Sequence, residues 1–173
     1  TQRINQTAII AKVQETKADL GLAFDGDGDR IVAFASDGSV IWPESMLMLF
    51  AKDVLKTLPG RTVVYDVKCS ASMDGIITQA GGKPKMARTG HSLLKAEMIA
   101  SQAPLAGELS GHIFFADQWY GFDDGLYAGV RFLDLMKRQK TTSLALLNTL
   151  PQRIATEELK IIVPEHDKQQ IMA

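Results

Sequence analysis

Cysteine is nearly missing from this sequence: its 173 residues include one, Cys69. A lone thiol closes no internal disulfide, and no Cys/His spacing suggests zinc, so a reducing compartment, the cytoplasm, is the expectation. Long apolar runs are missing too. Stretches such as Met46 to Ala51 fall far short of a membrane span of ~20 residues, and the N-terminus lacks the charged-then-apolar layout of a signal peptide. No membrane partner is expected. Neither sign of charge is in excess, with 19 Lys and Arg against 20 Asp and Glu. Nucleic acid is therefore not an expected partner. The densest basic group, Lys137, Arg138 and Lys140, falls at an expected helix end, where cations suit the dipole. What remains is the composition of a globular protein able to bury a core, 46% hydrophobic and 23% charged.

The apolar spacing predicts elements that alternate between short β-rich runs and longer amphipathic ones, so the fold class is α/β, layered. A helix is expected over Asn5–Lys17, then strands Leu20–Phe24 and Ile31–Ala35 around a carboxylate-rich loop, and a short strand Val40–Trp42. Pro43 opens a helix to Leu58, since Pro in the first turn lacks only an N–H that would be unpaired anyway. Strand Thr62–Val67, helix Ser72–Ala80, strand Lys83–Ala87 and a helix from Ser92 to Ser101 follow in βαβα order. Strands Leu105–Glu108 and Ile113–Ala116 and helices Asp123–Arg138 and Ser143–Leu150 complete the unit. A strand Leu159–Val163 and a helix starting at Asp167 would begin another. Thr1 is not Met and Ala173 falls within that last helix, so both ends read as cut from a longer chain.

Phe24-Asp-Gly-Asp-Gly-Asp-Arg30 is the most informative stretch. In an extended loop alternate residues project to one side, so Asp25, Asp27 and Asp29 can converge three carboxylates on one point. Anions so close repel one another and raise their own pKa values unless a cation lies among them. A hard divalent ion, Mg²⁺, is the economical answer. The loop also follows an apolar strand at its carboxyl end, where open α/β sheets collect ligands. An EF-hand fails, because the sixth loop position is Arg30 instead of Gly and the twelfth is Ser36 instead of Glu. Two alternatives stay open: a solvated acidic turn, and a haloacid-dehalogenase-like phosphatase with Asp25 as nucleophile, although Gly28-Asp29-Arg30 departs from that family's continuation. Arg30 can neutralise the carboxylates or stabilise a transferring phosphoryl group.

Other loops also end strands. Lys68 follows Thr62–Val67, and Thr89-Gly-His-Ser92 opens a helix, where free N–H groups attract anions, so His91 and Ser92 can face a phosphate. The bland readings are a solvated Lys and a Ser N-cap. Gly107-Glu-Leu-Ser-Gly-His112 brings carboxylate, hydroxyl and imidazole to one polar tip. Glu108, Ser110 and His112 are the groups that read vicinal sugar hydroxyls, the alternative being a plain hydrogen-bonded hairpin.

Five segments, Leu20 to Arg30, Asp66-Val-Lys-Cys69, Thr89 to Ser92, Gly107 to His112 and Gly121-Phe-Asp-Asp-Gly125, occur in the order seen in the α-D-phosphohexomutases. The sequence resembles an internal fragment of the bacterial phosphomannomutase/phosphoglucomutases of that family from about Ala18 to Gln139. The resemblance implies four domains around a cleft. It assigns residues 1–39 to the end of the second, residues 40–151 to the third, an α/β/α layer with a mixed sheet, and residues 152–173 to the linker and start of the fourth. It implies Asp25, Asp27 and Asp29 as Mg²⁺ ligands. Arg30, Lys68 and His91 would line the phosphoryl-transfer site, and Glu108, Ser110 and His112 would read the sugar.

The implied activity is interconversion of hexose 1-phosphate and hexose 6-phosphate, of mannose or glucose, through a phosphoserine enzyme and a bisphosphorylated sugar. The family's phosphoserine loop and its fourth-domain Arg-x-Ser-Gly-Thr loop are not in this sequence. This stretch alone is thus expected to be inactive, and a module that binds metal and sugar phosphate without catalysis is the alternative. Leu109 stands where the family often has Met, a swap of similar volume.

Overall fold

The structure is a computed structural model, and it describes residues 6–152 and Pro164. Along the chain run α1 (Thr7–Thr16), β1 (Leu20–Phe24), β2 (Ile31–Ala35), β3 (Val40–Ile41), α2 (Pro43–Thr57), β4 (Thr62–Asp66) and α3 (Ser72–Gln79). Then come β5 (Lys83–Ala87), α4 (His91–Ala100), β6 (Leu105–Gly107), β7 (Ile113–Phe115), α5 (Gly125–Gln139) and α6 (Ser143–Leu147). The strand expected at Leu159–Val163 and the helix at Asp167 lie outside the described residues.

Two sheets form. One has the order β5-β4-β6-β7. In it β4 pairs in parallel with both β5 and β6, while β7 pairs antiparallel with β6, so this is the mixed sheet expected. Alternate residues of β4 face opposite sides. Val63 and Tyr65 join a core with Phe50 of α2, Met73 of α3 and Phe132 of α5. Val64 joins the other, with Leu94 and Met98 of α4. Helices thus cover both faces, and the domain is an α/β/α layer.

The second sheet, β1-β2-β3, is antiparallel throughout. This corrects the expectation that the carboxylate loop sits at the carboxyl end of an open α/β sheet. The connection from Phe24 to Ile31 is too short for a parallel crossover, so β1 and β2 form a hairpin and the loop is its tip. Nor does this sheet stand apart, because Ile31, Ala33 and Ala35 of β2 and Ile41 of β3 belong to the same core as α2, α5 and α6. Its other face packs on α1 through Val32, Phe34 and Val13.

Long-range polar contacts lock these layers. The Arg138 guanidinium grips Asp53 at 3.0 and 2.7 Å, tying the end of α5 to α2. Lys137 and Arg138 occupy the last turn of α5 and Lys140 its left-handed cap, so the basic cluster is helix-terminal as read. Ser143, wholly buried, donates to the Asp19 carbonyl at 2.5 Å and joins α6 to the start of β1.

Candidate active site

The ends of β1, β4, β5 and β6 bring the site loops together. The hairpin tip and the β6–β7 loop meet through backbone: Arg30 and His112 pair as an antiparallel bridge, and Ile31 N–H donates to the Gly111 carbonyl at 3.3 Å. Gly111 has φ +114°, and a Cβ there would sit 3.0 Å from the Ile31 carbonyl oxygen. Only glycine fits both the angle and the approach. On the other side Gly125 N–H donates to the Gly28 carbonyl at 3.0 Å. A Cβ on Gly125 would meet the carbonyl oxygens of Gly28 and Arg30 at 2.8 Å each. The carboxylate loop is thereby held between two glycine contacts distant in sequence.

Within it, Asp25, Asp27 and Asp29 each offer an oxygen within 4.8 Å of the others. Asp25 accepts from the Arg30 N–H at 3.2 Å and from the Arg30 guanidinium. Burial opposes the Asp25 charge, but the two Arg30 donors outweigh it and hold this carboxyl below its ordinary range. Asp29 goes the other way. Burial, aided by the charges of Asp25 and Asp27 and opposed by His112, holds its carboxyl above the ordinary value. Asp29 Oδ1 is buried and accepts no hydrogen bond, its nearest cation being Arg30 Nε at 3.7 Å. Three converging hard oxygens, one of them buried without a partner, are a donor set that fits Mg²⁺.

Next to the triad lies a pair of imidazoles. His91, exposed at the first position of α4, stacks on His112 with ring centroids 5.3 Å apart. His112 Nδ1 is 2.8 Å from Asp123 Oδ2 and 3.5 Å from Asp29 Oδ2. The Asp123 contact is close without being a hydrogen bond, since His112 Nδ1 is buried and has no hydrogen-bond partner. His91 Nδ1 is 3.7 Å from the same Asp123 oxygen.

Asp123 lies in the Gly121–Gly125 segment, which sequence alone assigns to no site role. The signal was there. Asp124 is the N-cap of α5, accepting from Tyr127 N–H at 2.8 Å, so one of two adjacent Asp had a helix duty and the other did not.

Glu108 is 3% exposed, and both its oxygens are in use. Oε1 accepts from Gly90 N–H at 2.6 Å and Oε2 from the Ser110 hydroxyl at 2.7 Å. Each retains a lone pair for another donor. Lys68 is exposed in the turn after β4, on the same sheet edge. Ser92 is not the cap of α4; Gly90 is, with φ 136°. The Gly90 N–H is committed to Glu108, so only N–H groups further into α4 can face an anion.

Residues 42–154 match the family model for phosphoglucomutase/phosphomannomutase, alpha/beta/alpha domain III. The chain is 49% identical over 164 residues to a phosphomannomutase/phosphoglucomutase of Pseudomonas syringae pv. tomato, which covers 95% of this chain and 35% of that protein. It superposes with TM-score 0.86 at 49% identity on a phosphoglucomutase/phosphomannomutase family protein from Burkholderia thailandensis, over 90% of this chain and 34% of the other. A more distant fold relative is N-acetylphosphoglucosamine mutase of Aspergillus fumigatus, solved with GlcNAc-6P and magnesium. It has TM-score 0.61 and 14% identity, over 74% of this chain and 34% of that one. The chain thus spans about a third of the length of the curated relatives it matches.

Proposed function

This chain belongs to the phosphoglucomutase/phosphomannomutase family, and from that we propose that it supplies the metal-binding and sugar-binding loops of an enzyme interconverting hexose 1-phosphate and hexose 6-phosphate. The rest of such an enzyme would come from other domains of the same chain, a phosphoserine-bearing first domain and a phosphate-clamping fourth. In this reading residues 1–39 end the second domain, residues 40–151 form the third, and residues 152–173 lead into the fourth. Its place is the cytoplasm. Among the described residues no helix is long and apolar enough to cross a membrane.

The observation that carries the reading is the Arg30–His112 backbone pairing, which puts the carboxylate triad beside the histidine pair. Asp25, Asp27 and Asp29 would hold Mg²⁺, which when bound neutralises phosphoryl charge. Arg30 is placed to stabilise that charge in transit. In the half-reaction a sugar hydroxyl attacks the phosphoserine phosphorus, the P–O bond to serine breaks, and the hydroxyl proton needs an acceptor. His91 and His112, stacked over the shared Asp123 carboxylate, are placed to handle it, with Lys68 on the same edge to orient the phosphate. Glu108, Ser110 and His112 would read the sugar hydroxyls.

The phosphatase alternative needs Asp25 as a nucleophile. Arg30 bonds it from both its main-chain N–H and its guanidinium, which does not favour that role. The test is a coupled assay of the full-length protein for glucose 6-phosphate from glucose 1-phosphate, run in parallel with mannose 1-phosphate. Turnover of either supports the reading; turnover of neither, with the phosphoserine loaded, would end it.

A further inference from the structure

We infer that Asp66, a residue outside the proposed catalytic and sugar-reading set, is the positioning residue that holds three site loops in register through one buried carboxylate. The inference rests on the mutase reading.

Asp66 is the last residue of β4, the strand flanked in parallel by β5 and β6, and it is 0% exposed. Each bond to its side chain comes from a different loop. Oδ1 accepts from the Cys69 thiol at 3.1 Å, in the turn that carries Lys68. The same oxygen accepts from Leu109 N–H at 3.1 Å, in the Glu108–His112 loop. Oδ2 accepts from the Thr89 hydroxyl at 3.0 Å, at the entry to His91. The Asp66 carbonyl also closes its own turn by accepting Cys69 N–H at 3.0 Å.

A buried carboxylate is costly unless hydrogen-bonded, and the bonds that offset the cost here come from three loops of the site, so the gain is their relative placement. Past the Val67 N–H to Ala87 carbonyl bond, the loops after β4 and β5 leave the ladder, and side-chain bonds set their relative positions. Glu108 is a second brace between two of these loops, through Gly90 and Ser110. It is also the carboxylate proposed to accept sugar hydroxyls, so its oxygens are shared with substrate. Asp66 has no exposed surface and keeps its partners when substrate binds.

Misplacing reacting groups by about 1 Å can cost on the order of 10²-fold in rate. In the full-length protein, Asp66→Ala should therefore lower kcat about 100-fold while KM for hexose 1-phosphate stays within about threefold, since the sugar-reading groups share one hairpin. Asp66→Asn should recover most of the loss: its oxygen can accept from Cys69 and Leu109, and its NH₂ can donate to a turned Thr89 hydroxyl. Thr89→Val removes one bond while conserving shape. It should lower kcat per folded molecule about tenfold with a smaller fall in Tm than Asp66→Ala, and it carries the test alone if Asp66→Ala fails to fold.

A merely structural Asp66 would lower Tm and leave kcat per folded molecule as it was; that result overturns the inference. So does an Asn variant as damaged as the Ala variant, because charge and not bonding would then be what matters. An unmodified enzyme that turns over neither hexose phosphate overturns the mutase reading and this inference with it. An active one with unaltered variants overturns the inference alone.

Discussion

His112 and Asp123 meet side chain to side chain at 2.8 Å, and the stacked ring of His91 approaches the same carboxylate oxygen at 3.7 Å. One acid therefore serves both imidazoles. If they handle the proton of the attacking hydroxyl, Asp123→Asn in the full-length protein should lower kcat by about 10²-fold, the range of positioned acid–base help. Its magnesium activation curve should not move. Steady-state kinetics at several magnesium concentrations decide this; normal kcat would reduce Asp123 to a structural contact.

The metal loop and the sugar loop should separate under mutation. The isolated chain should bind Mg²⁺ weakly, since three carboxylates leave an octahedral ion open to water and phosphate. Asp27 is the exposed member of the triad, so Asp27→Asn should weaken binding further without changing Tm in a chelator. Calorimetry giving equal affinities would exclude the loop as the site. In the full-length protein Glu108→Ala should lower kcat/KM by about ten- to a hundred-fold, the effect of roughly 1.5–3 kcal/mol per charged hydrogen bond, with magnesium dependence retained.

Gly125→Ala tests the packing that holds the loop. The added methyl meets two carbonyl oxygens at 2.8 Å, main chain that cannot rotate aside. Overpacking of this kind costs typically 1–3 kcal/mol, to be read as a fall in urea midpoint at unchanged m. Because those carbonyls belong to Gly28 and Arg30, Mg²⁺ affinity should fall as well. A stable variant with normal affinity would show that α5 does not set the loop.

Cys69 gives a pH prediction. Burial, then the nearby Asp66 carboxylate, pushes its thiol well above the ordinary 9.0. Tyr65 moves in the same direction from 10.0, by burial and by its bond to Asp74. Both groups stay neutral in the folded state where the unfolded chain ionises them. Their contribution to stability is therefore fully present below about pH 9, and it falls as pH rises through 9 and then 10. Urea midpoints measured from pH 7 to 10.5 should drop at the alkaline end. A thiol reagent at pH 8 should modify Cys69 only as fast as the chain opens; rapid modification of the native protein would contradict this burial.

Much of this protein is readable without coordinates, for a local reason. Alternation within a six-residue loop brings Asp25, Asp27 and Asp29 to one side, and 3.6-residue periodicity with Pro43 at its start marks α2, because both depend on neighbours along the chain. The βαβα order likewise implies a layered sheet. Tertiary structure alone decided the remainder. That Arg30 pairs with His112, that Asp123 lies under two imidazoles, and that Asp66 joins loops from three strands are contacts between segments far apart in sequence. The hairpin nature of the β1–β2 loop is legible in its length, yet its place after an apolar strand in a chain of βα order suggests the carboxyl end of an open α/β sheet. What settles such contacts is which buried faces pack together, and no short window of sequence carries that information.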